Sequence, residues 1–378
     1  MLRSILTVTA CMVSYPALAF DNTQPTYTDE YGNVWQNNGL VTQFDTLADR
    51  DMFIAQRDAS GVYDPVPTEP QPLETVAELQ DDLAPIVMFD GYEWQLVGGD
   101  HQVALDAYSD NAANVEHLTE PSSVNPDDQE DESQFPHTVF GTDTRVNVRA
   151  NTAYPFRTHL AMSLNSNHMC SATMISPSTA ITAAHCVHTG RRWMNLANAT
   201  WGPGADRRDG PNRSDWFPFG EIPFNQCLMV ITTHKWTGGN RHPKHDWAFL
   251  DFGRCAPAGS RLGNTTTGWL GTHTADRDDR RWFNYGYPGD SQTCAGGTCL
   301  MPSQWGTSTT WDLKTRRNRI FHRIDTHPGH SGSGVYYFRT SSDRRVVGVH
   351  AYGGSRNQGR RFNNSLFRFV SRHTNFPQ

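Results

Sequence analysis

The sequence lacks a long apolar run, and after residue 138 it has almost no glutamate or lysine. A membrane-spanning helix needs about 20 apolar residues, so we expect no membrane partner. Residues 139–378 contain 26 Arg, three Lys and a single Glu, Glu221, whereas residues 1–138 contain three basic residues and 25 acidic ones. The two parts therefore carry net charges of +15 and −22, and the boundary falls between Phe135 and Val139. The arginines are scattered and accompany no RNA- or DNA-binding motif, so we expect no nucleic-acid partner.

The N-terminus has the pattern of a secretory signal peptide. Arg3 gives a positive start, Ile5–Val13 is apolar, and Ala17–Ala19 is a small-x-small cleavage site. The pattern predicts a signal peptide over residues 1–19, cut before Phe20, and an extracellular or periplasmic location. A buried N-terminal strand is the alternative.

The acidic segment over residues 20–138 is predicted to be a propeptide and linker. Its charge is opposite to that of the following domain, so it could cover that domain electrostatically until it is removed. The run 126–133 resembles a solvated linker. The apolar stretches Ala84–Phe89 and Tyr92–Val97 indicate that the segment is not wholly disordered. An independent acidic domain that stays attached is the alternative.

Cysteine usage fits an oxidising compartment. Beyond Cys11 there are six cysteines, all in the basic part: Cys170, Cys186, Cys227, Cys255, Cys294 and Cys299. An even number in an exported chain predicts three disulfides, and six cysteines allow 15 pairings. Their order along the chain favours pairing each with its neighbour. A zinc site is the alternative, but the spacings do not form C-x2-C pairs.

The basic part has short β-rich runs broken by Gly, Pro, Asn and Asp, and it lacks long helical periodicity before Ser365–Thr374. The runs are Ser171–Ser176, Thr179–Ala184, Cys227–Thr233, Trp247–Phe252, Trp282–Tyr287, Gly334–Phe338 and Val346–Ala351. This pattern predicts an all-β sandwich or barrel that ends in a short helix.

Three segments of the basic part supply the groups that serine-mediated amide cleavage needs. TAITAAHC places His185 at a strand end, HPKHDWAFLDF places Asp246 at the head of another strand, and PGHSGSGV places Ser331 in a glycine-rich loop. They predict a general base, a carboxylate that orients it and a nucleophile. The backbone N–H groups of Gly329 and Ser331 are the predicted oxyanion hole. The order His, Asp, Ser and the presence of Ser333 exclude an α/β-hydrolase, which needs Gly two residues after its nucleophile.

These motifs together resemble the active-site segments of chymotrypsin-like serine proteases, and most closely those of the glutamyl endopeptidase branch. VFGTDTRVNVRANTAYPFRTHLAMSL at 139–164 resembles the mature N-terminal segment of that branch. D-T-x-x-G-x-S-G-S at 325–333 is similar to its nucleophile segment, and G-V-H-x-x-G-G at 348–354 to its specificity segment. The resemblance covers nearly all of the basic part and none of the acidic part.

The resemblance implies a fold and roles for the site residues. We expect two six-stranded antiparallel β-barrels with the site in the crevice between them, preceded by the acidic pro-region. Ser331 would be the nucleophile, His185 the general base and Asp246 its orienting carboxylate. A Cys170–Cys186 disulfide would fix the histidine loop. The family implies protein or peptide substrates and no cofactor or metal, and we expect a monomer.

The resemblance also implies a specificity pocket. Thr326 and His350 match the residues that bind the substrate carboxylate in glutamyl endopeptidases, and residues 351–353 (Ala351, Tyr352 and Gly353) match the strand that pairs with the substrate backbone. Cleavage after Glu, or Asp, also agrees with the scarcity of Glu in an arginine-rich domain. The alternative is trypsin-like specificity for Arg or Lys, because Asp325 lies six residues before the nucleophile, where trypsin-like enzymes hold a carboxylate. A basic binding protein without catalytic activity is a third hypothesis.

The residue before the nucleophile is His330, where trypsin-like enzymes have the Asp that pairs with the new N-terminal amine. We therefore expect a different activation step: cleavage near Val139 releases an amine that helps to bind the acidic substrate.

The sequence contains two further, weaker signals. His242 and His245 lie close to Asp246. Such a group can indicate a metal site, but we expect both histidines to be surface residues. Four sequons begin at Asn198, Asn212, Asn264 and Asn363.

Overall fold

The computed structural model describes both parts of the chain. The described residues are 20–29, 32–40, 43–44, 84–89, 91–98, 139–164, 167–194, 196, 199–206, 212–223, 229–252, 267–274, 280–291, 294–295, 298–299, 303–310, 313–316, 318–338, 340, 343–363 and 366. Over these residues, no helix combines the length and the apolar character that crossing a membrane requires.

The acidic part contributes five strands: β1 (Thr26–Thr28), β2 (Val34–Leu40), β3 (Gln43–Phe44), β4 (Pro85–Phe89) and β5 (Tyr92–Gly98). Four of them run in the order β1-β2-β5-β4 and join a larger sheet through β4. The side chains of Trp35 and Trp94 are fully buried there. The Trp35 indole N–H donates to the buried carboxylate of Asp29 at 3.0 Å, so its polar atom is satisfied.

The next strands along the chain are β6 (Val146–Asn147), β7 (His159–Leu164), β8 (Asn167–Met174), β9 (Thr179–Thr182), β10 (Trp193–Met194), β11 (Ala199–Pro203), β12 (Ile222–Pro223), β13 (Met229–Thr233) and β14 (Ala248–Asp251). The first sheet continues from β4 in the order β13-β14-β9-β8-β7-β11-β12. β10 pairs separately, in parallel, with β3. Because β4 and β13 are antiparallel neighbours, the sheet combines strands of the acidic and basic parts.

The remaining strands are β15 (Gly271–Thr272), β16 (Trp282–Gly286), β17 (Cys294–Ala295), β18 (Thr298–Cys299), β19 (Trp305–Thr309), β20 (Lys314–Arg316), β21 (Arg319–His322), β22 (Gly334–Phe338), β23 (Arg344–Tyr352) and β24 (Asn357–Arg361). The second sheet runs β20-β21-β24-β23-β22-β16-β19-β6, with β15 also paired to β23. Each large sheet contains six strands of four or more residues from the described basic part. The prediction of an all-β fold with two six-stranded halves is therefore confirmed.

Helical structure in the described residues is short. The α-helix α1 spans His234–Thr237, and single 3-10 turns span Phe156–Thr158, Ala184–Cys186, Arg213–Trp216, Pro243–His245 and Gly289–Ser291. The predicted C-terminal helix over 365–374 lies outside the described residues except for Leu366, which is helical.

The hydrophobic core joins the two sheets. One cluster packs Ile231 and Phe249 of the first sheet with Tyr336, Val346 and Val349 of the second. Burial of aliphatic and aromatic side chains contributes about 1.5–3 kcal/mol per residue, so this cluster holds the sheets against each other.

The structure also bears on the cysteines and sequons. Cys170 and Cys186 form the predicted disulfide. The short hairpin β17–β18 places the backbones of Cys294 and Cys299 opposite each other, and Cys227 and Cys255 lie outside the described residues.

Of the four sequons, those at Asn198 and Asn264 also lie outside the described residues. Asn212 is exposed, whereas Asn363 is buried and donates to Asn318 at 2.7 Å, so it is inaccessible to a glycan.

Candidate active site

His185 and Asp246 come together at the end of the first sheet. His185 lies in the turn that follows β9, and Asp246 lies in the short connection that precedes β14. These strands pair antiparallel, with Thr182 opposite Ala248, so the end of one strand meets the start of the other. Both side chains are buried.

The Asp246 carboxylate binds His185 through both oxygens. The His185 ring Nδ1 lies 2.7 Å from Oδ2, and the His185 backbone N–H donates to Oδ1 at 2.9 Å. Since an ionised carboxylate only accepts, Nδ1 must carry the hydrogen in this pair. In the neutral ring the basic lone pair is then on Nε2, which is the nitrogen that a general base needs.

Ser331 lies in the turn between β21 and β22, at the junction of the two sheets. Its carbonyl oxygen accepts from Ser171 N–H at 2.8 Å and lies 3.6 Å from Cys186 Sγ, the neighbour of His185. On the other side, Gly332 N–H donates to the His350 carbonyl at 2.8 Å, and His350 N–H donates to the Ser333 carbonyl at 2.9 Å. The hydrogen bonds fix the Ser331 loop to β8 and to β23.

The glycines of this loop are required by its shape. Gly332 has φ 91°, and a Cβ at this position would overlap the Ser171 carbonyl oxygen and the Thr182 hydroxyl. Gly329 has φ 102°, and its carbonyl accepts from the Ser171 hydroxyl at 2.8 Å. Within the described residues, the N–H groups of Gly329 and Ser331 donate to no protein acceptor. Both amides are therefore available to a ligand.

The Cys170–Cys186 disulfide anchors the His185 loop to β8. These two cysteines and His185 form the one group of three potential metal ligands in the described part of the chain, with ligand atoms within 4.8 Å of one another. Because both sulfurs are bonded to each other, they are not thiolates and do not form a zinc site.

His350 is connected to a second buried histidine that the sequence reasoning missed. His350 Nδ1 lies 3.3 Å from Nε2 of His322, the last residue of β21. Ile324 N–H donates to His322 Nδ1 at 3.3 Å. Burial lowers the pKa of His322 to about 3, so this ring is neutral. Its hydrogen is then on Nε2 and is donated to His350 Nδ1, which leaves the hydrogen of a neutral His350 on Nε2.

Thr326 and Asp325 differ in their surroundings. The Thr326 hydroxyl is buried, and no hydrogen-bond partner is found for it among the described residues. Asp325 is also buried, but its Oδ1 accepts from Phe140 N–H at 2.8 Å. Its Oδ2 accepts from the N–H and the hydroxyl of Thr144, at 2.8 and 2.6 Å. The segment 140–144 thus occupies the Asp325 carboxylate, a role that the sequence reasoning did not anticipate.

Residues 351–353 lie at and just after the end of β23, beyond its pairing with β22. The pairing of β22 with β23 ends at Gly334 opposite Val349, so residues 351–353 have no β22 partner. Their other edge remains paired, with Tyr352 opposite Gln358 of β24. The ring of Tyr352 lies 6.1 Å from the ring of His185, measured between centroids. An extended peptide bound at this edge would therefore lie beside His185.

His330 and His245 are both structural residues of the core. His330 is buried, with Nε2 at 3.2 Å from the Trp305 carbonyl and Nδ1 accepting from His327 N–H at 3.1 Å. Burial, with a smaller effect of Arg145, lowers its pKa to about 4. The expectation that His245 lies on the surface is wrong, because the turn before Asp246 directs its ring inward and leaves it fully buried.

Comparisons with known proteins show what this chain is similar to. The family model described as Trypsin matches residues 145–209, which include His185. A glutamyl endopeptidase of Bacillus licheniformis is 29% identical over 257 residues, which cover 64% of this chain and 70% of that protein. An extracellular metalloprotease of Bacillus subtilis is 26% identical over 242 residues, covering 61% and 68%. A solved structure of a Glu endopeptidase in complex with MPD aligns with a TM-score of 0.48 and 22% identity, covering 62% of this chain and 98% of that one.

Proposed function

We propose that the protein is a serine endopeptidase whose Ser331 is acylated by the substrate, with His185 as base and Asp246 as orienting carboxylate. The match of residues 145–209 to the family model described as Trypsin and the likeness to a glutamyl endopeptidase support this proposal. The observation that carries this proposal is the 2.7 Å contact between His185 Nδ1 and Asp246 Oδ2. It fixes the tautomer in which Nε2 is the basic nitrogen.

The residues act in two half-reactions. Ser331 Oγ attacks the scissile carbonyl carbon while His185 Nε2 takes the hydroxyl proton, and the imidazolium is stabilised by Asp246. The oxyanion of the tetrahedral intermediate accepts from the N–H groups of Gly329 and Ser331, which have no acceptor among the described residues. His185 then gives its proton to the leaving amine, and the C–N bond breaks. Water repeats these steps on the ester, releases the acid and restores the Ser331 hydroxyl.

The proposed specificity is for Glu, or Asp, before the scissile bond. The hydrogen-bond chain from Ile324 N–H through His322 favours the tautomer of a neutral His350 that has its hydrogen on Nε2, and a hydrogen there is suited to a substrate carboxylate. The buried Thr326 hydroxyl is a second candidate donor. A hydrogen bond to a charged group contributes about 1.5–3 kcal/mol.

The occupation of Asp325 supports this specificity over the trypsin-like alternative. A carboxylate that binds a substrate Arg or Lys must face the pocket with free acceptor sites. Asp325 already accepts three hydrogen bonds from Phe140 and Thr144. The single Glu of the basic part is also what a Glu-specific enzyme needs to resist self-cleavage.

We also propose that the protein is an exported precursor cut near Val139. The signal-like N-terminus supports export, as does the likeness to a protein named an extracellular metalloprotease. The contact of Phe140 N–H with Asp325, the neighbour of Thr326, supports a new amine beside the pocket. A neutral His330 before the nucleophile offers no carboxylate for such an amine.

The test combines active-site labelling with a peptide panel. The processed full-length product and its Ser331→Ala variant are treated with a fluorophosphonate and with peptides that differ only in the residue before the scissile bond: Glu, Asp, Arg, Lys or Leu. Labelling and cleavage after Glu, both lost in the variant, are expected. Labelling with cleavage after Arg would overturn the specificity alone, and absence of labelling would favour a binding protein without catalytic activity.

Ser333→Ala is the matched control for the labelling. Ser333 lies in the same loop, but its hydroxyl is engaged: it donates to the His330 carbonyl at 2.6 Å and accepts from Asn284 Nδ2 at 2.8 Å. We expect Ser333→Ala to keep the label that Ser331→Ala loses.

A further inference from the structure

The acidic part supplies strands to the sheet that carries Asp246. β4 pairs with β13 over five residue pairs, from Pro85 opposite Thr233 to Phe89 opposite Met229. On its other edge β13 pairs with β14, the strand that follows Asp246. β4 therefore occupies the edge that β13 would otherwise expose.

Both faces of β4 are buried in the core of the basic part. Ile86 and Met88 belong to the cluster that contains Val230 and Leu250. Val87 points to the other face and belongs to the cluster that contains Ile231, Trp247 and Phe249, together with Trp35 and Trp94 of the acidic part. A strand that is apolar on both faces is typical of a sheet interior, not of a removable cover.

Polar contacts add specificity to this interface. Trp193 Nε1 donates to Glu93 at 2.6 Å, and His234 N–H donates to the Ala84 carbonyl at 2.7 Å. The two-residue strands β3 and β10 also pair across it, with Gln43 opposite Trp193. The interface thus combines apolar burial, backbone pairing and specific hydrogen bonds.

We propose that the acidic N-terminal segment remains bound after cleavage as a non-covalent subunit of the enzyme, with β13 as its docking edge. This inference rests on the proposed cut near Val139. Loss of the segment would expose the N–H and C=O groups of β13 and the side chains that β4 covers. Since the Thr232 hydroxyl donates to the Trp247 carbonyl at 2.7 Å, β13 also supports the connection that positions Asp246. The segment thus stabilises β13 and, through it, the connection that positions Asp246.

The test uses an external cut, so that it does not depend on the chain's own activity. A recognition sequence for a specific protease replaces residues 126–133 in the full-length Ser331→Ala protein. After cleavage, the two fragments are passed over a size-exclusion column in 1 M NaCl, which screens charges beyond about 3 Å. Co-elution at equal stoichiometry is expected. Separate elution of a basic fragment that still unfolds cooperatively would overturn the proposal.

Two variants identify the interface. Val87→Asp introduces a charge into the shared core, and we expect the cut fragments to separate. Val97→Asp lies on β5 at a position with 51% exposure and is the matched control, which should still co-elute. If Val87→Asp fails to fold, amide exchange of residues 230–232 in the cut, unsubstituted protein provides the answer. Protection equal to that of the uncut protein supports the proposal, and its loss overturns it.

Active enzyme gives a further readout. Purified, self-processed protein should yield two N-terminal sequences in equal amounts, one upstream of Thr26 and one near Val139. A single sequence near Val139 from fully active enzyme would overturn retention while leaving the proposed peptidase activity intact.

Discussion

The hydroxyl of Thr144 donates a 2.6 Å hydrogen bond to Oδ2 of Asp325. The same oxygen accepts from Thr144 N–H, and Oδ1 accepts from Phe140 N–H. A carboxylate that looks like a specificity determinant in the sequence is therefore the anchor of the segment just after the proposed cleavage site. Substitutions can distinguish a role of Asp325 in substrate specificity from its role in anchoring the segment 140–144.

Asp325→Ala should reduce stability without changing which residue is preferred before the scissile bond. It leaves the donors of Phe140 and Thr144 without their acceptor, which costs about 1–3 kcal/mol for a buried group. Denaturant unfolding of the Ser331→Ala form measures this loss, and Thr144→Ala should show a smaller one. Loss of an Arg- or Lys-directed activity in Asp325→Ala would show that Asp325 binds substrate.

His350→Ala should selectively impair cleavage after Glu. Removing a charge-assisted donor of about 1.5–3 kcal/mol lowers kcat/KM roughly 10- to 100-fold for the Glu peptide, with little change for Leu. The ratio of the two kcat/KM values is the measurement. An equal loss for both peptides would indicate a structural role only.

His322 should act through His350. His322→Gln keeps an N–H donor near the position of Nε2 and should retain most of the preference for Glu, whereas His322→Leu removes the donor and should lose it. The Glu-to-Leu ratio of kcat/KM checks this order. Identical ratios in both variants would contradict the hydrogen-bond chain.

Asp246→Asn should lower kcat by about 10⁴-fold, because the amide would favour the wrong tautomer of His185. The remaining carbonyl oxygen can still accept from His185 N–H, which is 2.9 Å from Oδ1 in the structure. We therefore expect a folded but weakly active protein. Steady-state kinetics together with a thermal unfolding curve distinguish this outcome from simple misfolding.

The stability of the protein should fall as the pH decreases from about 6.5 to 4. Burial lowers the pKa of His330 from 6.5 to about 4 in the folded protein, so the unfolded chain binds its proton first. Its contribution is fully present above pH 6.5, and one such residue accounts for roughly 2 kcal/mol between pH 7 and 5. The slope of unfolding free energy against pH, measured in Ser331→Ala, should be shallower when His330→Gln is added. An unchanged slope would contradict this assignment.

The strands of the basic part were predictable because their apolar runs are short and bounded by turn residues. Each predicted run overlaps an observed strand; the run Trp282–Tyr287, for example, contains the strand Trp282–Gly286. The pairing of His185 with Asp246 was also predictable, since both flank such runs. The inward orientation of His245 and the link between His322 and His350 depend on side-chain directions set by tertiary packing, which a single sequence does not specify.

The role of the acidic part was the least predictable feature. Its charge suggested an electrostatic cover, while the apolar stretch Pro85–Phe89 pairs directly with β13. Local sequence can indicate that a strand forms, but it does not identify a partner so distant along the chain.

The pairing of Phe89 with Met229 joins residues that are 140 positions apart. Closing a loop of that length costs about 4 kcal/mol of chain entropy, and the contact forms only after the intervening chain has been synthesised. While the chain is intact, the linker keeps β4 at a high effective concentration near β13. Once the linker is cut, the two pieces must find each other by diffusion, and dilution opposes their reassembly. The order of events therefore matters. If the linker is cut after folding, β4 is already paired with β13, whereas a cut before folding hinders this pairing.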